Sequence, residues 1–460
     1  MLLLSLLGIF TFASCQGDNS IPGGGNVHTS SQQSSSNPLP DSNDVVNGKV
    51  TYTGFYENEL QYDFTYKDEY FKNTAVEVNN DLAKLSLCNA LTGTNSNKDE
   101  DDYYLSFKYI EDFYSKCGFK MSKVPAEYNE KPTKDSIGCY CCKKRLVFDN
   151  KPYTIFGITI RGFKYGSEWA SNFTLGTSRN HEGFDKAAES VMRFISASIL
   201  VEKETSDIKV WITGYSRGGA VAGLTSTKLI EKNLVSEENL YCYTFEAPAS
   251  LGMEDNREYK SIYNYINPND IVTYLVHPTL NIKRPGTDIN YTSGKNIDDV
   301  KAKLAQISQK VVLSELKTIG DLPYFLNNTV DIIYTRVFNA RNEYCDKYQE
   351  TARYLCDFFF GLPKAKRTQL INYFKGLSFL QLASLLSLES GKTLFKTAFE
   401  TCQIEYDEAT FNTHYEKILN LVVNSVIPTL GGDTISQIYQ NVSVIAQNHF
   451  AEVTLAYMMA

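Results

Sequence analysis

The sequence predicts an α/β protein: a mostly parallel sheet with helices on both faces, followed by a large helical insertion. Three observations carry that reading. From about Lys144 the chain alternates short apolar runs with amphipathic stretches of helical length, as strands and helices do when they build a parallel sheet. From Asp298 to Val426 the strand signals vanish and helical periodicity takes over. The chain of 460 residues is 43% hydrophobic, enough for a large core.

Before that body lie two segments of different character. Leu2 to Phe12 is almost wholly apolar, with the length of a signal-peptide core and too short to cross a bilayer easily. It runs into Phe12-Ala13-Ser14-Cys15. Small residues before a cysteine resemble the lipobox of bacterial lipoproteins, which implies cleavage and lipid attachment at Cys15. No Lys or Arg precedes the apolar run, and Phe stands three places before the cysteine. A plain secretory signal is the alternative. Residues 1–15 are thus read as an export segment. Residues 16–47, rich in Ser, Gly, Asn, Gln and Pro, are read as a flexible tether.

The folded part then unrolls in order. Lys49 to Asp63 reads as a hairpin or edge strand, and Phe71 to Leu91 and Leu105 to Cys117 as helices. Lys144 to Phe148 and Tyr153 to Ile160 read as strands, and Gly183 to Lys203 as a long amphipathic helix. Ile208 to Thr213 is a strand, Ala220 to Lys232 a helix, and Leu240 to Phe245 and Ile262 to Ile266 strands. This gives a core over 48–297, a helical cap or insertion over 298–426, and a return to the core over 427–460.

Charge and cysteines narrow the function classes. A net charge of -8 gives no field for nucleic acid. Ten cysteines fit an exported protein, and with Cys15 lipidated nine remain, so they cannot all pair within the chain. Cys139, Cys141 and Cys142 cluster, but no second CxxC or HxxxH lies nearby to complete a zinc site. Disulfides or buried thiols are the expectation, and no metal or cofactor is implied. Oligomeric state leaves no signature in the sequence.

The chemistry centres on Gly214-Tyr215-Ser216-Arg217-Gly218. This is G-x-S-x-G, which sets a serine on a strained turn between a strand and a helix. Side chains two residues either side would collide there, and Gly214 and Gly218 remove the clash. The context is right: an apolar strand ends before it and an Ala/Val-rich helix starts after it. A serine on such an elbow belongs to the α/β-hydrolase architecture, with chain order Ser, then Asp or Glu, then His.

The elbow and its flanking blocks resemble class 3 lipases, in a bacterial lipoprotein-like branch with Tyr-Ser-Arg at the elbow. Ile158-Thr159-Ile160-Arg161-Gly162 and Glu168-Trp169 resemble the family's oxyanion strand and loop. His181-Glu182-Gly183-Phe184 is similar to its H-x-G-F segment, and Thr244-Phe245-Glu246-Ala247-Pro248 to its T-F-x-A-P strand end. Asn267 to Val272 resembles its acid block, and His449-Phe450-Ala451-Glu452 its H-x-P-E block, with Ala451 in place of proline. The resemblance implies Ser216 as nucleophile, Asp270 as acid and His449 as base.

The residues alone leave some choice. There are five histidines. His28 lies in the tether and His181 precedes Ser216, the wrong order. His449 ranks first as base because it can return to the sheet edge. His277, seven residues past Asp270, could instead line a pocket, and His414 sits in a helical stretch. Asp270 follows a predicted strand end, yet Asn-Pro-Asn-Asp also favours a simple turn. The oxyanion donors are expected to be the backbone N–H groups of Arg217 and Phe163, the latter adding no side-chain donor. Arg161 reads as a structural ion-pair partner at least as readily as a catalytic one. The expected activity is hydrolysis of carboxylic esters of lipid-like substrates by an exported, membrane-anchored or secreted enzyme. A thioesterase, amidase or peptidase on the same fold, or a non-catalytic surface lipoprotein, are the alternatives.

Overall fold

The computed structural model describes residues 41–57, 59–94, 103–121, 135–162 and 167–460. Cys15, His28 and Phe163 lie outside the described residues. Strand β1 (Val45–Tyr52) already begins within the segment read as tether, and it pairs antiparallel with β2 (Leu60–Lys67).

A seven-stranded sheet forms the centre. It contains β3 (Lys120–Met121), β4 (Cys139–Phe148), β5 (Lys151–Ile160), β6 (Asp207–Tyr215) and β7 (Leu240–Phe245). A short pair, β8 (Leu251–Gly252) and β10 (Ile282–Lys283), stands apart; β9 (Ile262–Ile266) and β11 (Thr287–Asn290) complete the sheet. The order is β11-β9-β7-β6-β5-β4-β3. Strands β11, β9, β7, β6 and β5 run parallel, and β4 and β3 add antiparallel at one edge. With helices on both faces and a serine elbow after β6, this is an α/β-hydrolase fold.

The period of two along β6 explains the two layers. Val210 and Ile212 enter one apolar core with the helices Glu182–Lys203 and Arg217–Glu231. Trp211 and Tyr215 enter the other, with the helices Asn80–Thr92, Tyr103–Lys116 and Ala451–Met459. Buried on both faces, β6 reads as a continuous apolar run. The helix expected from Phe71 begins only at Asn80, because Asn79 caps it by accepting the N–H groups of Asp81 and Leu82 (3.1 and 3.0 Å).

The cysteine cluster is strand. Cys139 and Cys141 face one core and Cys142 the other, as alternation on β4 requires. All nine described cysteines are free thiols, and burial pushes those of Cys88, Cys141 and Cys242 up to about 12. Among the described residues no group of three His, Cys, Asp or Glu could hold a metal ion.

The helical stretch divides into parts. Ile297–Ile307 packs against the hairpin side of the sheet through Val300 and Leu304. Leu322–Ile332 joins the opposite core through Leu326 and Val330. The helices between Gln349 and Leu421 build a separate aromatic core around Phe359, Phe374, Phe399 and Phe411. Phe360 and Gln349 tie that part to the segment following β5: Phe360 stacks on Trp169 (5.1 Å between ring centres) and Gln349 Oε1 accepts the Gly176 N–H at 2.9 Å, while Arg341, on the helix just before it, donates to the carbonyls of Leu175, Gly176 and Asn180.

Candidate active site

The site lies at the C-terminal ends of β6, β7 and β9, where parallel sheets leave their loops. Ser216 follows β6 directly and opens the helix Arg217–Glu231. Its backbone is strained, at φ 55° and ψ −124°. The elbow holds this geometry because nothing larger than hydrogen fits around it. A Cβ on Gly214 would stand 2.3 Å from the Gly218 carbonyl oxygen, and one on Gly218 2.5 Å from that of Ile160. Gly162, at the end of the β5 run, is tighter still: its Cβ would stand 1.8 Å from the Tyr215 carbonyl oxygen. The Ser216 N–H donates to the Phe245 carbonyl at 2.8 Å, tying the elbow to β7.

Three side chains form a chain of hydrogen bonds. His449 Nε2 lies 2.9 Å from Ser216 Oγ, and His449 Nδ1 lies 2.5 Å from Asp270 Oδ2. All three residues are buried. Asp270 Oδ1 accepts the Val272 N–H at 2.9 Å, so the turn after β9 sets the orientation of the carboxylate. In this arrangement Nδ1 carries the proton toward Asp270 and Nε2 accepts from the serine.

His449 is placed from several directions. Tyr215, beside the serine, donates its hydroxyl to the His449 carbonyl at 3.1 Å. Asn267 Nδ2 donates to Asn448 Oδ1 at 3.2 Å, joining the acid turn to the histidine turn. Phe450 stacks on Phe55 (3.7 Å, 11°), and Glu452 accepts the Phe55 N–H at 2.7 Å. The loop after β1 therefore fixes a histidine nearly four hundred residues later.

The other described histidines serve elsewhere. His277 Nε2 bonds to Asn327 Oδ1 (3.1 Å) and its Nδ1 to Thr279 (3.0 Å). His414 bonds to Thr351 (3.1 Å) and stacks on Tyr354 in the insertion. His181 caps the helix Glu182–Lys203 by accepting the Phe184 N–H, and its Nε2 donates to the Asn172 carbonyl at 3.2 Å. Burial pushes its imidazole down to about 3, so it is neutral.

Arg161 is part of a buried ion cluster. Its Nη2 lies 2.8 Å from Glu168 Oε1, while Arg217 Nη1 lies 3.6 Å from Glu168 Oε2. The Arg217 side chain also donates to Ser171 Oγ at 3.0 and 2.7 Å. Its guanidinium is thereby turned into the cluster, while its backbone N–H stays at the first turn of the elbow helix. Sequence reasoning passed over the neighbours of the acid, Glu246 above all. Its only signal is an acidic residue at the variable place of the T-F-x-A-P resemblance.

Residues 158–279 match the family described as Lipase (class 3). The matched stretch contains Ser216 and Asp270 and stops before His449. Three solved lipase structures resemble parts of the chain. One, described as a triacylglycerol lipase whose catalytic centre is a serine protease triad, is 21% identical, with a TM-score of 0.29. That match covers 37% of this chain and 65% of the lipase. Lipase II from Rhizopus niveus is 19% identical over 48% of this chain and 78% of its own, with a TM-score of 0.31. The lipase from Rhizopus microsporus var. chinensis is 18% identical over 55% and 78%, with a TM-score of 0.28. No curated protein matches the chain.

Proposed function

We propose that the protein is a serine hydrolase that cleaves carboxylic esters of lipid-like substrates. The observation that carries this reading is the continuous path from Ser216 Oγ through His449 to Asp270, at 2.9 and 2.5 Å. A serine hydroxyl is a weak nucleophile unless a base lies within hydrogen-bond reach, and here one does.

The steps follow from that geometry. Ser216 Oγ attacks the ester carbonyl carbon as its proton passes to His449 Nε2. The carbonyl π electrons move to oxygen, which the backbone N–H of Arg217 and that of Phe163 stabilise. Asp270 steadies the imidazolium. Collapse breaks the bond to the alcohol, which leaves with the proton from His449. Water, deprotonated by His449, then splits the acyl-enzyme, returning Ser216 and releasing the acid. The lipid-like character of the substrate is supported by the class 3 lipase match and by the aromatic insertion lying against the segment after β5.

The test is a panel of p-nitrophenyl esters, triglycerides, phospholipids, thioesters and amides, assayed with the wild type and Ser216→Ala. Ester turnover lost by at least about a thousandfold in the variant supports the reading. Residual ester turnover within about tenfold of the wild type contradicts it. Amide or thioester turnover exceeding every ester moves the substrate class.

In the same reading the protein is exported, belongs to a bacterial lipoprotein-like branch, and is held at a membrane by lipid on Cys15. The support is the apolar run before Cys15 and the polar stretch after it. Expression in a bacterium followed by fractionation tests this. Wild type in the membrane fraction and Cys15→Ser released supports it; equal release of both replaces anchoring with secretion.

A further inference from the structure

Beside the acid of the candidate triad stands a second buried acid that, among the described residues, has no base against it. Glu246 follows β7 with its backbone in the left-handed region, at φ 50°, and is fully buried. Its N–H donates to the Tyr265 carbonyl at 3.0 Å, so the neighbouring strand β9 fixes its backbone. One carboxyl oxygen accepts the Asn267 N–H at 3.1 Å. The other accepts the Tyr291 hydroxyl and, at 3.5 Å, that of Thr454. The Asn267 carbonyl in turn accepts the Asp270 N–H at 2.9 Å, so Glu246 grips the very turn that presents Asp270. The Glu246 carboxyl faces that of Asp270 across this turn and interacts with it.

The charges around this pair are one-sided. Asp270 faces Glu246 from the turn after β9, Tyr291 from beyond β11, and Tyr215 from β6. Glu452, on the C-terminal helix, faces Tyr215 as well, and His449 is engaged by Asp270. No described Lys or Arg forms an ion pair with Glu246. Burial pushes the Glu246 carboxyl well above the usual carboxylate range, and the Asp270 charge pushes it further. Two adjacent carboxylates in a dry site cannot both stay ionised at modest cost. A protonated carboxyl is a hydrogen-bond donor, and Asp270, with Val272 on one oxygen and His449 on the other, has lone pairs left.

We propose that Glu246 works as a neutral carboxylic acid, donating its proton in a hydrogen bond to Asp270 and holding that carboxylate against His449. It touches neither substrate nor nucleophile, so it is a positioning residue. The pair holds one proton and one negative charge, and the charge stays on Asp270, where the imidazolium needs it. The inference rests on the Ser216–His449–Asp270 reading.

The experiment compares kcat/KM against pH for a p-nitrophenyl ester in the wild type, Glu246→Gln, Glu246→Leu and Ser216→Ala. Gln keeps the shape and a donor without charge. Its kcat/KM should stay within about threefold of wild type at neutral pH, and its acid limb, set by His449, should not move. Leu removes the donor and should lose about 10–100-fold, mostly in kcat, because a loosened acid misorients the base. Two results overturn the proposal. One is an acid limb about one unit lower in Glu246→Gln, showing that a negative charge near His449 has been lost. The other is a Glu246→Leu enzyme as active as the wild type. If Glu246→Gln fails to fold, infrared spectra of the wild type decide: a protonated carboxyl band at neutral pH that shifts with isotope-labelled glutamate is expected, and its absence refutes the claim. Ser216→Ala separates the two levels. If it stays active, the triad reading itself fails; if it is inactive while Glu246→Gln shows the lowered acid limb, only the role of Glu246 falls.

Discussion

Glu168→Ala is a severe test of how the site is supported, because it removes the acid that two buried arginines share. Arg161, Glu168 and Arg217 are all essentially inaccessible to solvent. Glu168 accepts from Arg161 at 2.8 Å and from the Gly138 N–H at 3.2 Å, and it lies 3.6 Å from Arg217. Alanine takes the Glu168 carboxylate away from two buried guanidinium charges and leaves the Gly138 amide without its acceptor. Removing one partner of a buried pair costs about 3–5 kcal/mol, because the remaining charge stays desolvated. The lost amide bond is part of that figure. An exposed pair sets the scale from the other side: Lys49 and Asp63 are 2.8 Å apart but 60% and 80% exposed, and Lys49→Ala should cost no more than about 1 kcal/mol. Urea unfolding followed by circular dichroism measures both. Glu168→Leu combined with Arg161→Met should recover part of the loss, since it removes one of the stranded charges. A cost for Glu168→Ala below about 1 kcal/mol, equal to the exposed control, refutes the view that this cluster is dry and tightly coupled.

Other outcomes follow from the same geometry. His449→Ala should lower kcat/KM for an ester by at least about a thousandfold, and His277→Ala by less than tenfold, as steady-state assays would show; the reverse order moves the base. Gly218→Ala should destabilise the protein and abolish activity, because the new Cβ meets backbone atoms of Ile160 and Arg161 at 2.5 and 2.9 Å. Gly320→Ala, with nothing within 4 Å, is the neutral control, read by melting temperature and ester turnover. His181 stays neutral in the fold down to about 3, whereas an unfolded imidazole takes its proton near pH 6.5. Its contribution is present above pH 6.5 and is lost as pH falls from there toward 3. The stability gap between wild type and His181→Asn should therefore shrink by about 2 kcal/mol from pH 7 to pH 5 in urea titrations.

Local signals were the legible ones. The elbow could be read because strand, strained serine and small-residue helix are contiguous, and because β6 is apolar on both faces. The Asp270 turn could be placed at a strand end for the same reason. β11 escaped notice because Thr287–Asn290 is polar and mostly exposed, so it shows neither alternation nor an apolar run. The start of β4 was hidden because Cys139, Cys141 and Cys142 suggested chemistry, whereas they are small apolar residues facing two cores. Glu246 could not be understood from its own stretch of chain. Its meaning depends on β7 lying beside β9, and on Tyr291 and Thr454 arriving from distant segments. The insertion read as helical by period, but which helices join the sheet and which form their own aromatic core depends on long-range packing.

The measurement that bears most directly on the central claim is covalent labelling with a fluorophosphonate, read by peptide mass spectrometry. The wild type should carry one adduct, on Ser216, whose hydroxyl has His449 Nε2 at 2.9 Å to take its proton. His449→Ala should label at least about a hundredfold more slowly, and Ser216→Ala not at all. An adduct on another residue, or equal labelling rates in the wild type and His449→Ala, would contradict the account.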